Sequence, residues 1–121
     1  LGVDGEDDFL GRGLMYGVRN KAALAGKAVV IVGGGDSAFD WALNLLDIAK
    51  SITLVHRRDV FRAHEDSVRQ VQASPVELQL WQAVTELHGN GHLSAVTVTD
   101  LQSKASRTVP CDALIVNIGF K

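Results

Sequence analysis

Lys27-Ala28-Val29-Val30-Ile31-Val32-Gly33-Gly34-Gly35-Asp36-Ser37-Ala38 decides the fold. Ala28 to Val32 is a short, mostly β-branched apolar run with Gly26 before it and Gly33 after it. Such a run predicts a strand buried on both faces, as in parallel sheets. Beyond the three glycines, Ala38, Trp41, Ala42, Leu45, Leu46 and Ala49 recur at helical spacing. They predict a helix over about Asp36–Lys50, with Asp36 at its positive end and Lys50 at its negative end, both favourable to the helix dipole. Ser51-Ile52-Thr53-Leu54-Val55 predicts a second strand. Strand, helix and strand in this order make a βαβ unit.

Gly33-x-Gly35-x-x-Ala38 at the strand-to-helix turn matches the dinucleotide fingerprint. Gly33 allows the tight turn off the strand. Gly35, lacking a side chain, lets the backbone approach a pyrophosphate, with Gly34 between them. Ala38 is small enough for the helix to pack close to the sheet. The helix N-terminus, at Asp36 and Ser37, offers unpaired N–H groups and a positive dipole to phosphates, and the Ser37 hydroxyl is a further donor. The competing explanation is a Gly-rich turn in another α/β fold; the flanking strand and helix favour the dinucleotide.

Working outward, the second strand ends about 23 residues beyond Gly33, at His56-Arg57-Arg58. NAD-specific domains carry an acidic residue there for the adenosine ribose. An acid repels a 2′-phosphate, whereas arginine binds it through charge-assisted hydrogen bonds. Arg62, four residues after Arg58, is placed to point back to the same spot. The cluster therefore points to NADP(H), the alternative being a solvated basic loop. His56 either stacks near the adenine or caps its strand.

Further along, Phe61, His64, Val68 and Val71 predict a helix that Ser74-Pro75 stops, and Val76–Leu80 predicts a third parallel strand. The pattern then changes. Val84–His88, Leu93–Asp100 and Arg107–Val109 are short strands separated by Gly89-Asn90-Gly91 and Gln102-Ser103-Lys104, which predicts an antiparallel meander. Ala113–Val116 predicts a last buried strand leading to Asn117-Ile118-Gly119. Upstream, Lys21–Ala25 favours a short helix closed by Gly26. Residues 1–10 are acidic and are expected to form an irregular linker. The expected fold is α/β, a Rossmann-like parallel sheet with helices on both faces and a small antiparallel three-stranded insertion.

Composition sets the outer limits. The chain has 121 residues, the size of one domain, and 46% are apolar, enough for a core. A net charge of −2 gives no reason to expect nucleic acid or an acidic membrane as partner. No apolar run approaches the roughly 18–20 residues of a membrane helix. Cys111, the single cysteine, excludes an internal disulfide and an all-cysteine metal site, and fits a reducing, cytoplasmic compartment. It is expected to be structural. His64-Glu65 fails as a zinc motif because position 68 is Val68. His88 and His92 flank a turn and are expected to be exposed. No nucleophile–base pair and no metal ligand set is visible, so no catalytic residue is assigned.

Gly33-Gly34-Gly35-Asp36-Ser37-Ala38 followed by His56-Arg57-Arg58-Asp59-Val60-Phe61-Arg62 resembles the NADPH domain of thioredoxin reductase-like flavoproteins. Asp40–Leu46 and Phe61–Glu65 look most similar to the ferredoxin/flavodoxin–NADP+ reductases of that architecture, and the resemblance runs from about Gly11 to Gly119. Thioredoxin reductases follow a Gly-x-Gly-x-x-Tyr stretch with Cys-x-x-Cys. Here Gly11-Arg12-Gly13-Leu14-Met15-Tyr16 is followed by Gly17 and Asn20 at the two cysteine positions, which excludes that disulfide exchange and favours the ferredoxin reductase branch. The resemblance implies an NADPH domain inserted into a split FAD domain. Residues 1–10 would then be a linker from the FAD domain, 11–119 the NADP(H)-binding domain and 120–121 the start of the return. It also implies that Ile118-Gly119 lies near the dinucleotide, that hydride passes between NADPH and FAD, that ferredoxin or flavodoxin accepts electrons, and that the longer protein is a homodimer. This chain alone is expected to bind cofactor without turnover. The same residues also suit a non-catalytic NADP(H)-sensing module, or a thioredoxin reductase-like enzyme whose cysteines lie elsewhere.

Overall fold

The computed structural model describes residues 5–16, 21–33, 36–57 and 65–116, with the helical backbone alone at 36–37. The elements are α1 (Glu6–Phe9), β1 (Leu14–Met15), a 3-10 turn (Lys21–Leu24), β2 (Ala28–Val32), α2 (Asp36–Asn44), β3 (Ser51–His56), α3 (Glu65–Gln72), β4 (Glu77–Leu80), β5 (Gln82–Gly89), β6 (Leu93–Asp100), β7 (Ser106–Pro110) and β8 (Ala113–Val116). Five strands form one sheet in the order β1-β8-β2-β3-β4, every pairing parallel. β5, β6 and β7 form a separate antiparallel sheet.

β2 lies in the middle of the parallel sheet, which is why its run is uninterrupted by polar residues. Successive side chains point to opposite faces. Val29 and Ile31 join Ile52, Leu54, Ala113 and Ile115 beneath Ala38, Phe39 and Ala42 of α2 and Val71 of α3. Val30 and Val32 join Val55, Leu114 and Val116 on the other face, against Val84, Leu93, Val96 and Val98 of the antiparallel sheet and Phe9 of α1. Each buried valine, leucine, isoleucine or phenylalanine among them contributes about 1.5–3 kcal/mol by burial. The expected arrangement is thus met asymmetrically. Two longer helices cover one face; the other carries the meander, with only the short α1 as its helix among the described residues.

The meander strands fall where the turn signals put them, and Gly26 (φ +71°) closes the 3-10 turn. Three details differ from expectation. α2 stops at Asn44 rather than at Lys50. The Leu46 and Ile48 amides bond three residues back, to Leu43 and Leu45, and Gly26 N then takes the Ile48 carbonyl at 2.7 Å. Leu45, Leu46 and Ile48 belong to the same core as the helix, so the apolar spacing continues through the turn. Residues 6–9 form a helical turn, not irregular chain, because Phe9 is buried in the second core. Leu14–Met15 adds an edge strand along β8, which two residues among glycines could not announce.

Candidate functional site

A parallel sheet brings the carboxyl ends of its strands to one edge. Val32 of β2 pairs with Val55 of β3 and with Val116 of β8, while His56 pairs with Leu80 of β4. The loops after β2, β3, β4 and β8 therefore leave the same edge. In sequence β2 is followed by β3 on one side, whereas β8 flanks it on the other. The winding direction changes at β2, and open α/β sheets bind ligands at such a point.

Gly33 turns the chain off β2. It is buried, its amide donates to the Val55 carbonyl at 3.0 Å, and its φ of +146° is open to glycine and rarely to other residues. Helix α2 begins at Asp36, so its N-terminus, the positive end of its dipole, lies at this edge. Ala38 is 0% exposed and packs into the core with β2 and β3, which is the close helix–sheet approach that a small residue permits. His56 ends β3, half-buried, and Arg57 follows it, exposed. The structure thus brings Gly33, the start of α2, Ala38, His56 and Arg57 to one edge. Gly34, Gly35, Arg58, Arg62, Ile118 and Gly119 lie outside the described residues, as do the side chains of Asp36 and Ser37.

One residue at this edge gives no signal in the sequence. Trp81 directly follows β4, is half-buried, and has φ +59°. The left-handed region costs a non-glycine residue roughly 1–2 kcal/mol. Its carbonyl accepts the Leu101 amide at 2.7 Å, so the turn carries the chain from the parallel sheet into the meander. Among the described residues Trp81 is in neither apolar core.

The remaining chemistry lies elsewhere. Cys111 is 3% exposed and stands just before β8, at the end of the sheet opposite Gly33. Burial, and then the Asp112 charge, push its thiol up to about 12, so it is neutral and unreactive at pH 7, as expected of a structural cysteine. Asp112 binds Ala28 twice, accepting from its amide at 2.9 Å and donating to its carbonyl at 2.8 Å. His92 is exposed, whereas His88 is half-buried: its Nε2 is 2.6 Å from Thr97 Oγ1, which in turn donates to Glu86 at 3.1 Å. Among the described residues no group of His, Cys, Asp or Glu is arranged to hold a metal ion, and no helix is long and apolar enough to cross a membrane.

A family model for pyridine nucleotide-disulphide oxidoreductases matches residues 1–121. A ferredoxin–NADP reductase of Streptococcus thermophilus is 49% identical over 121 residues, covering 99% of this chain and 36% of the relative. One from Sulfurisphaera tokodaii is 45% identical over 122 residues, with 100% and 36% covered. Among solved structures, the thioredoxin reductase of Giardia duodenalis matches with a TM-score of 0.92 at 34% identity, covering 98% of this chain and 40% of that one. The Lactococcus lactis thioredoxin reductase matches at 0.93 and 24% identity over the same shares, a likeness of fold alone. The chain spans 36% of the length of these curated relatives.

Proposed function

Given that this chain belongs to the family of pyridine nucleotide-disulphide oxidoreductases, we propose that it is the NADP(H)-binding domain of a flavoprotein oxidoreductase of the ferredoxin–NADP reductase kind. One observation carries the proposal: Gly33, the start of α2 and Arg57 share one sheet edge at the point where the winding reverses. The residues present fit the cofactor. A backbone conformation at Gly33 that other residues rarely adopt and the positive end of the α2 dipole suit a pyrophosphate, and a basic strand end suits a 2′-phosphate. At roughly 1.5–3 kcal/mol per charged hydrogen bond, Arg57 and Arg58 together supply about 3–6 kcal/mol gross, ample for preferring NADP(H) over NAD(H).

In the longer protein a bound NADP(H) would supply hydride chemistry toward FAD, with ferredoxin or flavodoxin as the proposed single-electron partner. This chain's own residues bind and orient. Gly33, Gly34, Gly35, Asp36, Ser37 and Ala38 hold the pyrophosphate. Arg57, Arg58 and Arg62 hold the 2′-phosphate, with His56 beside them and Ile118-Gly119 near the dinucleotide. Residues 11–119 form the binding domain, and 1–10 and 120–121 join it to an FAD domain of a cytoplasmic homodimer. The lone, buried Cys111 and the residues Gly17 and Asn20 favour the ferredoxin reductase branch over dithiol exchange.

A ligand that binds only the folded chain raises its melting temperature. NADP+ at millimolar concentration is expected to raise the Tm by several degrees and NAD+ to leave it nearly unchanged. Equal shifts contradict the proposal.

A further inference from the structure

We infer that Trp81 forms a wall of the adenine subsite and so contributes directly to cofactor affinity, an inference that rests on the NADP(H) proposal above. His56 and Leu80 are register partners on adjacent strands, and the next residue on each strand is Arg57 and Trp81. Strands lie about 4.8 Å apart, so the two residues leave the binding edge as neighbours. Adenine and the 2′-phosphate hang on the same ribose. A group beside the arginine that holds the phosphate is therefore beside the base. Aromatic side chains stack on bases through their π faces, and Trp81 is a half-buried indole outside both apolar cores of the described chain.

The backbone separates this role from a merely structural one. At φ +59° a tryptophan is strained, and asparagine or glycine would make the same turn more easily. If the position served only to redirect the chain, the indole would work against it. Strain of this kind gathers at functional sites. Substitution should therefore move folding stability and ligand affinity in opposite directions.

Adenosine 2′,5′-bisphosphate, which carries adenine and the 2′-phosphate without nicotinamide, is the probe. Titrated calorimetrically, Trp81→Asn is expected to bind it about tenfold more weakly while unfolding at higher urea than the unsubstituted chain; Trp81→Phe is expected to bind within about threefold. Trp41 and Trp81 are the two tryptophans, so emission from Trp41→Phe reports Trp81 alone, and saturation with the probe is expected to quench it. Unchanged affinity in Trp81→Asn together with unchanged emission in Trp41→Phe overturns the inference while leaving the cofactor proposal standing, provided that Arg57→Ala still weakens binding. No binding by the unsubstituted chain overturns both.

Discussion

The amide of Gly33 donates to the carbonyl of Val55 at 3.0 Å, so the first residue of the proposed phosphate loop remains bonded to the neighbouring strand while its φ of +146° carries the chain out of the sheet. Strand pairing and loop conformation are coupled in one residue. Gly33→Val keeps the amide but forces a β-branched residue into that conformation. The expected result is a loss of about 1–3 kcal/mol of stability and a more than tenfold weaker NADP+ affinity, read by urea denaturation and by calorimetry. Undiminished NADP+ affinity would detach Gly33 from the site.

Gly89 and Gly13 are needed for space rather than for ligand. A Cβ at Gly89 would lie 2.0 Å from the His92 carbonyl oxygen, and one at Gly13 would lie 2.6 Å from the Leu93 Cβ, with φ +115° besides. Neither neighbour is the free end of a flexible side chain. Gly89→Ala and Gly13→Ala are each expected to cost about 1–3 kcal/mol, the usual range for overpacking, with NADP+ affinity intact in whatever fraction stays folded. Chemical denaturation followed by titration of the folded variant checks both halves.

Cys111 gives a pH dependence with a definite sign. Its folded thiol is raised to about 12 from an ordinary value near 9, chiefly by burial. Between those values the unfolded chain loses a proton that the folded chain keeps. The contribution is therefore fully present below about pH 9 and is lost as pH rises toward 12, at about 1.4 kcal/mol per pH unit. Cys111→Ala is expected to flatten this alkaline loss. In the unsubstituted chain a thiol reagent at pH 8 is expected to label Cys111 only on unfolding; prompt labelling of the native protein would refute the burial.

Much of this was legible in the sequence because local signals and tertiary context agree. Val29 to Val32 are buried on both faces, so the strand shows as an unbroken apolar run, and Gly33 and Ala38 are confined by geometry to small residues. The meander was legible from its turns: Asp100 accepts from the amides of Gln102 and Ser103 at 2.8 and 3.0 Å, the type of contact that Asp-initiated turns advertise. The end of α2 was not, because Leu45 and Ile48 keep facing the core after the helix has ended. Phe9 shows its purpose only once the second core exists around it. Trp81 was illegible for a related reason. Its position beyond Leu80 becomes meaningful only through the register with His56, a pairing across sequence that no local pattern encodes.

The proposed NADP(H) preference rests on the basic strand end, where Arg57 is exposed one residue beyond β3. Calorimetric titration of the unsubstituted chain and of the double variant Arg57→Ala/Arg58→Ala with NADP+ and NAD+ tests it most directly. At least tenfold tighter binding of NADP+ is expected for the unsubstituted chain, with the difference erased in the double variant and NAD+ affinity little changed. Equal affinity of the unsubstituted chain for the two cofactors would reduce the arginines to a solvated loop and contradict the NADP(H) assignment.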